Sequence, residues 1–313
     1  MMLRRALVPL ARLGARLPVV VNRRWPVLRS AKSFLLNRLH RDHVEVDGHT
    51  FRLDATDSLR LGLGELHEPE ISDALKQLLH PGDLAVDGGA HIGYHSLHMA
   101  RLVGPRGQVL AFEPDPVNFR LLEHNIAENR YGNVYAHCAA IWSRSCHKDL
   151  FLREDHHGDH RLYDPGDKRT RIEVIALDLD SVLASSSLPP RLVKLDLQGA
   201  ELHALRGMRQ VLRETTNLVV ILEFWPRGLR TCGSDPRELL ALLEASGYQI
   251  WQLDRRGRTP QLTSAAKLLK RLDASSVAGR CRQALRNRDD VDILCARSRN
   301  GESLLPIRNE ARG

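Results

Sequence analysis

Residues 83–104, "DLAVDGGAHIGYHSLHMARLVG", join an apolar run ending in Asp87 to a glycine turn and then to an amphipathic stretch. The pattern reads as strand, tight turn and helix, the unit that opens nucleotide-binding α/β sheets. One such unit constrains everything after it, because parallel strands must be joined by crossover helices. The glycines stand at 88, 89 and 93, with His91 where the dinucleotide fingerprint needs its second glycine. A pyrophosphate cradle is therefore missing, which argues against a nicotinamide oxidoreductase.

The flanking sequence continues the alternation. "HVEVDGHTFRLD" (43–54) alternates apolar and polar residues about Asp47-Gly48 and predicts a hairpin. "EISDALKQLLH" (70–80) has helical spacing, stopped by Pro81-Gly82. After the strand at 84–87 and a helix to about Val103 come a second strand ending in Glu113, a helix over 117–130, and a third strand over 133–141. Residues 142–176 are polar and irregular and predict a loop or hairpin insertion. A fourth strand (191–197), one helix (200–214), a fifth, almost wholly apolar strand (217–224) and a helix (235–247) follow. "YQIWQL" and "VDILCA" predict the last two strands, with a basic helical segment at 262–288 between them.

In such sheets ligands bind beyond the carboxyl ends of the strands. Those ends are Asp87, Glu113, Ala139, Asp196 and Glu223, and four of the five are acidic. A carboxylate at Glu113 suits both ribose hydroxyls of a nucleoside and repels a 2′-phosphate. The glycine turn allows close backbone approach, and its N–H groups at a helix start favour an anion, for which a carboxylate serves. Ribose, amino-acid carboxylate, ammonium and sulfonium together describe S-adenosylmethionine, so the rim reads as a methyl-transfer site.

The segments "TDSLRLGLGELHEPE", "DLAVDGGAHIGYHS", "VLAFEPDPVNFRLLEHNIAEN", "LDLDSVL", "VKLDLQGAELHALRGM" and "VVILEFWP" resemble, in order and spacing, the FkbM family of S-adenosylmethionine-dependent methyltransferases over roughly residues 45–250. The pairing of "AFEPDP" with "KLDLQGAE" is the specific part. The resemblance implies an α/β class I methyltransferase-like (Rossmann-like) doubly wound sheet, mostly parallel with an antiparallel last strand. To this the sequence adds an N-terminal hairpin and a basic arm. With the charge and pattern of the flanking sequence, the chain divides into an arm (1–42), a methyltransferase domain (43–300; core 70–255, substrate-side insertion 142–176) and a tail (301–313). The resemblance places Glu68, Asp87, Gly89, Ala90, His91, Gly93 and Glu113 around the cofactor, Ala139 near the adenine and Asp196 near the reacting methyl. The chain has His91 where the family usually has Asn, and Gln198 where it has Glu; the amide keeps hydrogen bonding and loses a charge.

Transfer to oxygen needs alignment and removal of the hydroxyl proton. Candidate bases are Asp196, Glu223, His91, His95 and the histidines of "EDHHGDH" (154–160). Asp196 and Glu223, ending adjacent strands, are also candidate oxygen ligands for a divalent cation such as magnesium. "EDHHGDH" itself offers metal-type donors, although such runs are commonly solvated loops. The resemblance instead makes Gly158–Leu162 a substrate-facing loop, with His160 a candidate catalytic residue and Arg161 beside it. Lys194, on the strand of Asp196, is expected to be its structural partner.

Charge bears on partners. Residues 1–41 hold ten basic residues and no acidic one, so of the net +8 the remaining chain carries about −2. A nearly neutral domain argues against a nucleic-acid-binding core. The arm is suited to an anionic membrane surface, an acidic partner or mitochondrial targeting, or is simply solvated. Five scattered cysteines without C-x-x-C spacing suggest reduced thiols and a cytoplasmic protein, for which the basic arm offers a membrane-peripheral contact. The expected activity is O-methylation of a hydroxyl on a sugar, glycan or secondary metabolite. The rivals are a nucleic-acid methyltransferase, disfavoured by "KLDLQG" where base-amine methylases carry an Asn/Asp-Pro-Pro-aromatic motif, and a non-catalytic cofactor- or partner-binding protein with a degenerate site. The acceptor's identity does not follow from the residues.

Overall fold

A computed structural model describes residues 42–254, 258–270, 290–299 and 302–303. The basic arm, most of the predicted 262–288 helical segment and most of the tail lie outside the described residues.

Strands β1 (His43–Val46) and β2 (His49–Arg52) form the expected hairpin, with Asp47 and Gly48 at φ 50° and 75° supplying the turn. Helix α1 (Pro69–Leu78) leads into β3 (Leu84–Gly88), α2 (Tyr94–Val103), β4 (Gln108–Phe112), α3 (Pro116–Glu128) and β5 (Val134–His137). After β6 (Ala140–Ile141) come β7 (Cys146–Leu152), β8 (Thr170–Leu177), α4 (Leu179–Leu183) and β9 (Pro190–Leu195). The chain continues through α5 (Glu201–Arg206), α6 (Arg209–Glu214), β10 (Val219–Phe224), α7 (Pro226–Thr231), α8 (Pro236–Ala245), β11 (Tyr248–Asp254), β12 (Arg258–Thr263), β13 (Val291–Arg299) and β14 (Glu302–Ser303).

The main sheet runs β12-β11-β13-β10-β9-β3-β4-β5. Strands β10, β9, β3, β4 and β5 are parallel, and β13 inserts antiparallel between β10 and β11. The chain winds to β4 on one side of β3 and to β9 on the other, so the switch point lies at the carboxyl end of β3. Alternation along β3 feeds both faces: Leu84 and Val86 pack with Leu202, Leu205 and Leu239, whereas Ala85 packs with Leu75, Met99 and Val103.

Three expectations change, and a fourth, the hairpin insertion, holds and is extended by one strand. The third strand splits, because after His137 the chain leaves the sheet edge and Ala140–Ile141 pair with β8 instead. The insertion is a sheet of its own, β6-β8-β7, with Leu150, Leu162 and Val174 packed on Trp142. The helix over 200–214 breaks at Gly207, where a Cβ would stand 2.1 Å from the Trp142 carbonyl oxygen and where the Asp180 backbone N–H donates to the Gly207 carbonyl at 2.8 Å. Residues 258–263, read in part as helical, form β12 against β11, a pairing whose partner the local pattern does not show.

The hairpin is docked by helix side chains. Asn125 donates to the Arg52 carbonyl at 3.1 Å and accepts from its N–H at 2.7 Å, and Asn129 does the same for Thr50 at 2.7 and 2.9 Å. Asp115 caps α3, accepting from the N–H groups of Val117 and Asn118 with Pro116 as the first helical residue.

Candidate active site

The turn after β3 is held from two sides. The N–H groups of Gly89 and Ala90 both donate to the Phe112 carbonyl (3.0 and 2.9 Å), and Asp196 N–H donates to the Gly88 carbonyl (3.0 Å). Gly89 has φ 76°, and a Cβ there would lie 2.0 Å from the Asp196 carbonyl oxygen. Its missing side chain thus makes room for the end of β9, at a position that also lines the cavity. His91 (φ 51°) and Gly93 (φ 92°) bend the chain into α2. His91 N–H donates to Glu113 Oε2 and Asp115 N–H to Oε1, each at 2.9 Å, fixing the carboxylate at the cavity wall. Burial pushes Glu113 up to about 8.

A cavity of about 880 Å³ lies beyond these strand ends. Of the sequence-predicted cofactor residues, Glu68, Gly89, Ala90, His91, Glu113 and Asp196 line it; Asp87, Gly93 and Ala139 do not. Asp87 instead points inward, fully buried, accepting from Ser96 Oγ at 2.6 Å and lying 3.3 Å from Lys194 Nζ. The expected partnership of Lys194 with Asp196 is corrected accordingly: its ion pair is with Asp87, and Asp196 receives only its more distant charge. Ala139 is buried one residue before Ala140 and Ile141, which with Phe112 make an apolar part of the wall.

Asp196 and Glu223 do meet. Gln198, itself left-handed at φ 53°, donates from Nε2 to Asp196 Oδ1 at 2.8 Å and reaches Glu223 Oε2 at 3.5 Å. The amide bridges the two carboxylates, occupying the place a shared cation would take. Burial pushes both acids up, with Glu68 adding to the effect on Asp196 and Asp196 to that on Glu223. The loop is braced by buried Glu201, which accepts from Leu197 and Gly199 N–H at 3.0 and 3.1 Å.

The 153–162 loop reaches the same cavity. His160 is committed on both sides: Nδ1 accepts from Arg153 N–H at 3.0 Å and Nε2 faces Asp115 Oδ2 at 3.4 Å. The ring's proton therefore sits on Nε2 in the neutral form. Arg161 lies 4.9 Å over Trp225 and is anchored by Asp159 at 2.8 Å. Sequence reasoning missed Trp225 and His67 as lining residues; one stands two residues after Glu223 and the other next to Glu68, and that proximity was the available signal.

The residues fit a polar nucleoside bearing an amino acid. Both ring nitrogens of buried His91 lack a hydrogen-bond partner among the described residues, beside the fixed carboxylate of Glu113. Glu113→Ala is expected to weaken S-adenosylhomocysteine binding by about 1–3 kcal/mol in calorimetric titration, the cost of leaving buried hydrogen-bonding groups without their partner. Unchanged affinity would remove the ribose assignment.

Burial also holds His49, His91 and His95 down to about 4. Such a group stabilises the fold fully above its unfolded value near 6.5, and that contribution is lost as pH falls toward 4. For His49, 2% exposed, the loss between pH 7 and pH 5 is about 2 kcal/mol. Urea unfolding of His49→Gln should show a correspondingly shallower decline over that interval. A parallel decline would mean that His49 takes up its proton in the folded state.

Parallel strands ending in acids on both sides of a switch point, with a glycine turn between them, are the layout of the class I methyltransferases. Residues 87–250, just over half of the chain, match the Methyltransferase FkbM domain, and the protein belongs to this family of S-adenosylmethionine-dependent methyltransferases. It is 29% identical over 196 residues to Methyltransferase sdnD of Sordaria araneosa, a match covering 53% of this chain and 73% of that protein. It is 26% identical over 194 residues to Hexuronic acid methyltransferase AglP of Haloferax volcanii, covering 60% and 73%. A third relative, Methyltransferase 1 of Beauveria bassiana, is 26% identical over 188 residues, covering 53% and 72%. No helix among the described residues is long and apolar enough to cross a membrane.

Proposed function

We propose that this methyltransferase acts on a hydroxyl of a sugar, glycan or secondary metabolite, with Asp196 as the proton acceptor. The observation that carries the reading is the convergence of Asp196, Gln198 and Glu223 in the cavity that also holds Glu113. When bound, S-adenosylmethionine supplies an electrophilic methyl group on sulfur. Glu113 would accept from the ribose hydroxyls, and Phe112, Ala140 and Ile141 would cover the adenine.

Asp196 would take the acceptor's proton. Lys194 and the Gln198 amide oppose its burial and favour the carboxylate form, while burial and the neighbouring Asp196 push Glu223 well above its ordinary value. Divalent-cation binding by Asp196 and Glu223 is the lesser part of the proposal, since the amide between them does the bridging. Arg161 on Trp225 presents a flat, polar-edged surface suited to a hydroxylated ring. The name of the Haloferax relative supports an acceptor of that type.

The test is methyl transfer from labelled S-adenosylmethionine to a panel of sugars, uronic acids and hydroxylated metabolites. Asp196→Asn should lower kcat by at least about 10²-fold, the usual worth of a positioned base, with S-adenosylhomocysteine affinity changed far less. A fully active Asp196→Asn would move the base elsewhere.

A further inference from the structure

Three donors meet where the segment before α1 faces α2. Glu68 Oε2 lies 3.1 Å from His95 Nε2 and 3.5 Å from His67 Nε2. The three ligand atoms all fall within 4.8 Å of one another, and all three residues line the cavity. First-row ions hold nitrogen and oxygen ligands at about 2.0–2.2 Å, so atoms sharing one ion stand about 3.0–3.6 Å apart. The two Glu68 separations lie in that range.

We propose that His67, Glu68 and His95 form a site for a borderline first-row divalent cation, Zn²⁺, bound by two imidazoles and one carboxylate. This donor set is that of open zinc sites, and imidazole suits zinc where oxygen-only sets suit magnesium. No backbone N–H donates to either ring of the pair among the described residues. In the metal-free chain His95 Nε2 carries the proton of its 3.1 Å hydrogen bond to Glu68; its Nδ1 has no partner among the described residues, so the proton can move there and the ion would replace that hydrogen bond. His95 is fixed by α2, and His67 and Glu68 by the start of α1, so the ion would tie α1 to α2 along one wall of the cavity. The Lys194 ammonium acts on Glu68 and His95, but its charge is matched by Asp87 at 3.3 Å. Glu68 keeps Oε1 for a cofactor contact.

The second cluster of donors, Asp115 with His157 and His160, fails the same examination. Arg153 N–H already occupies His160 Nδ1, so the neutral ring has its proton on Nε2 and no lone pair to give. Asp115 is engaged as the cap of α3. The zinc site is independent of which acceptor the enzyme methylates.

The test is calorimetric titration of Zn²⁺ into the full chain, tag removed and metal stripped by a chelator, with Co²⁺ absorption as a parallel readout. One tight site per chain is expected. His67→Ala and His95→Ala should each weaken it at least about tenfold and abolish the Co²⁺ band, whereas His157→Ala should leave both unchanged. His67 is 26% exposed, so His67→Ala is the variant whose fold survives, checked by an unaltered Tm without metal. Absence of saturable Zn²⁺ binding would overturn the proposal. So would a tight site retained in His67→Ala or lost in His157→Ala.

Discussion

Lys194→Met is expected to cost about 3–5 kcal/mol of folding stability, read as a lowered urea midpoint at pH 7. Lys194 is 3% exposed and Asp87 not at all, and their 3.3 Å pairing is the only ion pair shown for either among the described residues. Methionine fills the stem's volume but removes the charge that compensates Asp87. What remains at Asp87 is the 2.6 Å hydrogen bond from Ser96 Oγ, which also ties α2 to β3. The double variant Lys194→Met with Asp87→Asn should recover most of the loss, because no bare carboxylate is then buried. Equal losses in single and double variants would attribute the effect to packing instead. A loss below about 1 kcal/mol would mean that Asp87 finds other solvation.

Gly89→Ala should lower stability by about 2–5 kcal/mol and abolish measurable S-adenosylhomocysteine binding. Left-handed backbone costs a non-glycine residue about 1–2 kcal/mol, and forced overpacking a further 1–3. The atom in the way is the Asp196 carbonyl oxygen at 2.0 Å, which is backbone and cannot swing aside. Moving it breaks the hydrogen bond from Asp196 to Gly88, and moving Gly89 breaks those to Phe112. Either shift separates the glycine turn from the proposed base. Gly82→Ala is the control: its φ is 97°, but nothing lies within 4 Å of the added carbon. It should lose only the backbone share and bind ligand normally. Equal effects at both positions would show that the contact with β9 is unimportant.

Local periodicity determined the strands and helices that build the sheet, the Asp47-Gly48 hairpin turn and the acids at the strand ends, since each is written in a few neighbouring residues. The FkbM motifs likewise placed Glu113 and Asp196, both of which line the cavity. The sequence could not show which acids face a ligand. Asp87 and Glu113 both end strands, yet one turns inward to Lys194 while the other is held at the cavity wall by two backbone N–H groups. The insertion of β13 between β10 and β11, the strand at 258–263, the break at Gly207 and the meeting of His67 with His95 were also tertiary decisions. Period and turn chemistry report how a residue relates to its chain neighbours. These features depend instead on segments far apart in sequence, which come within a few ångströms only once the order of the sheet is set.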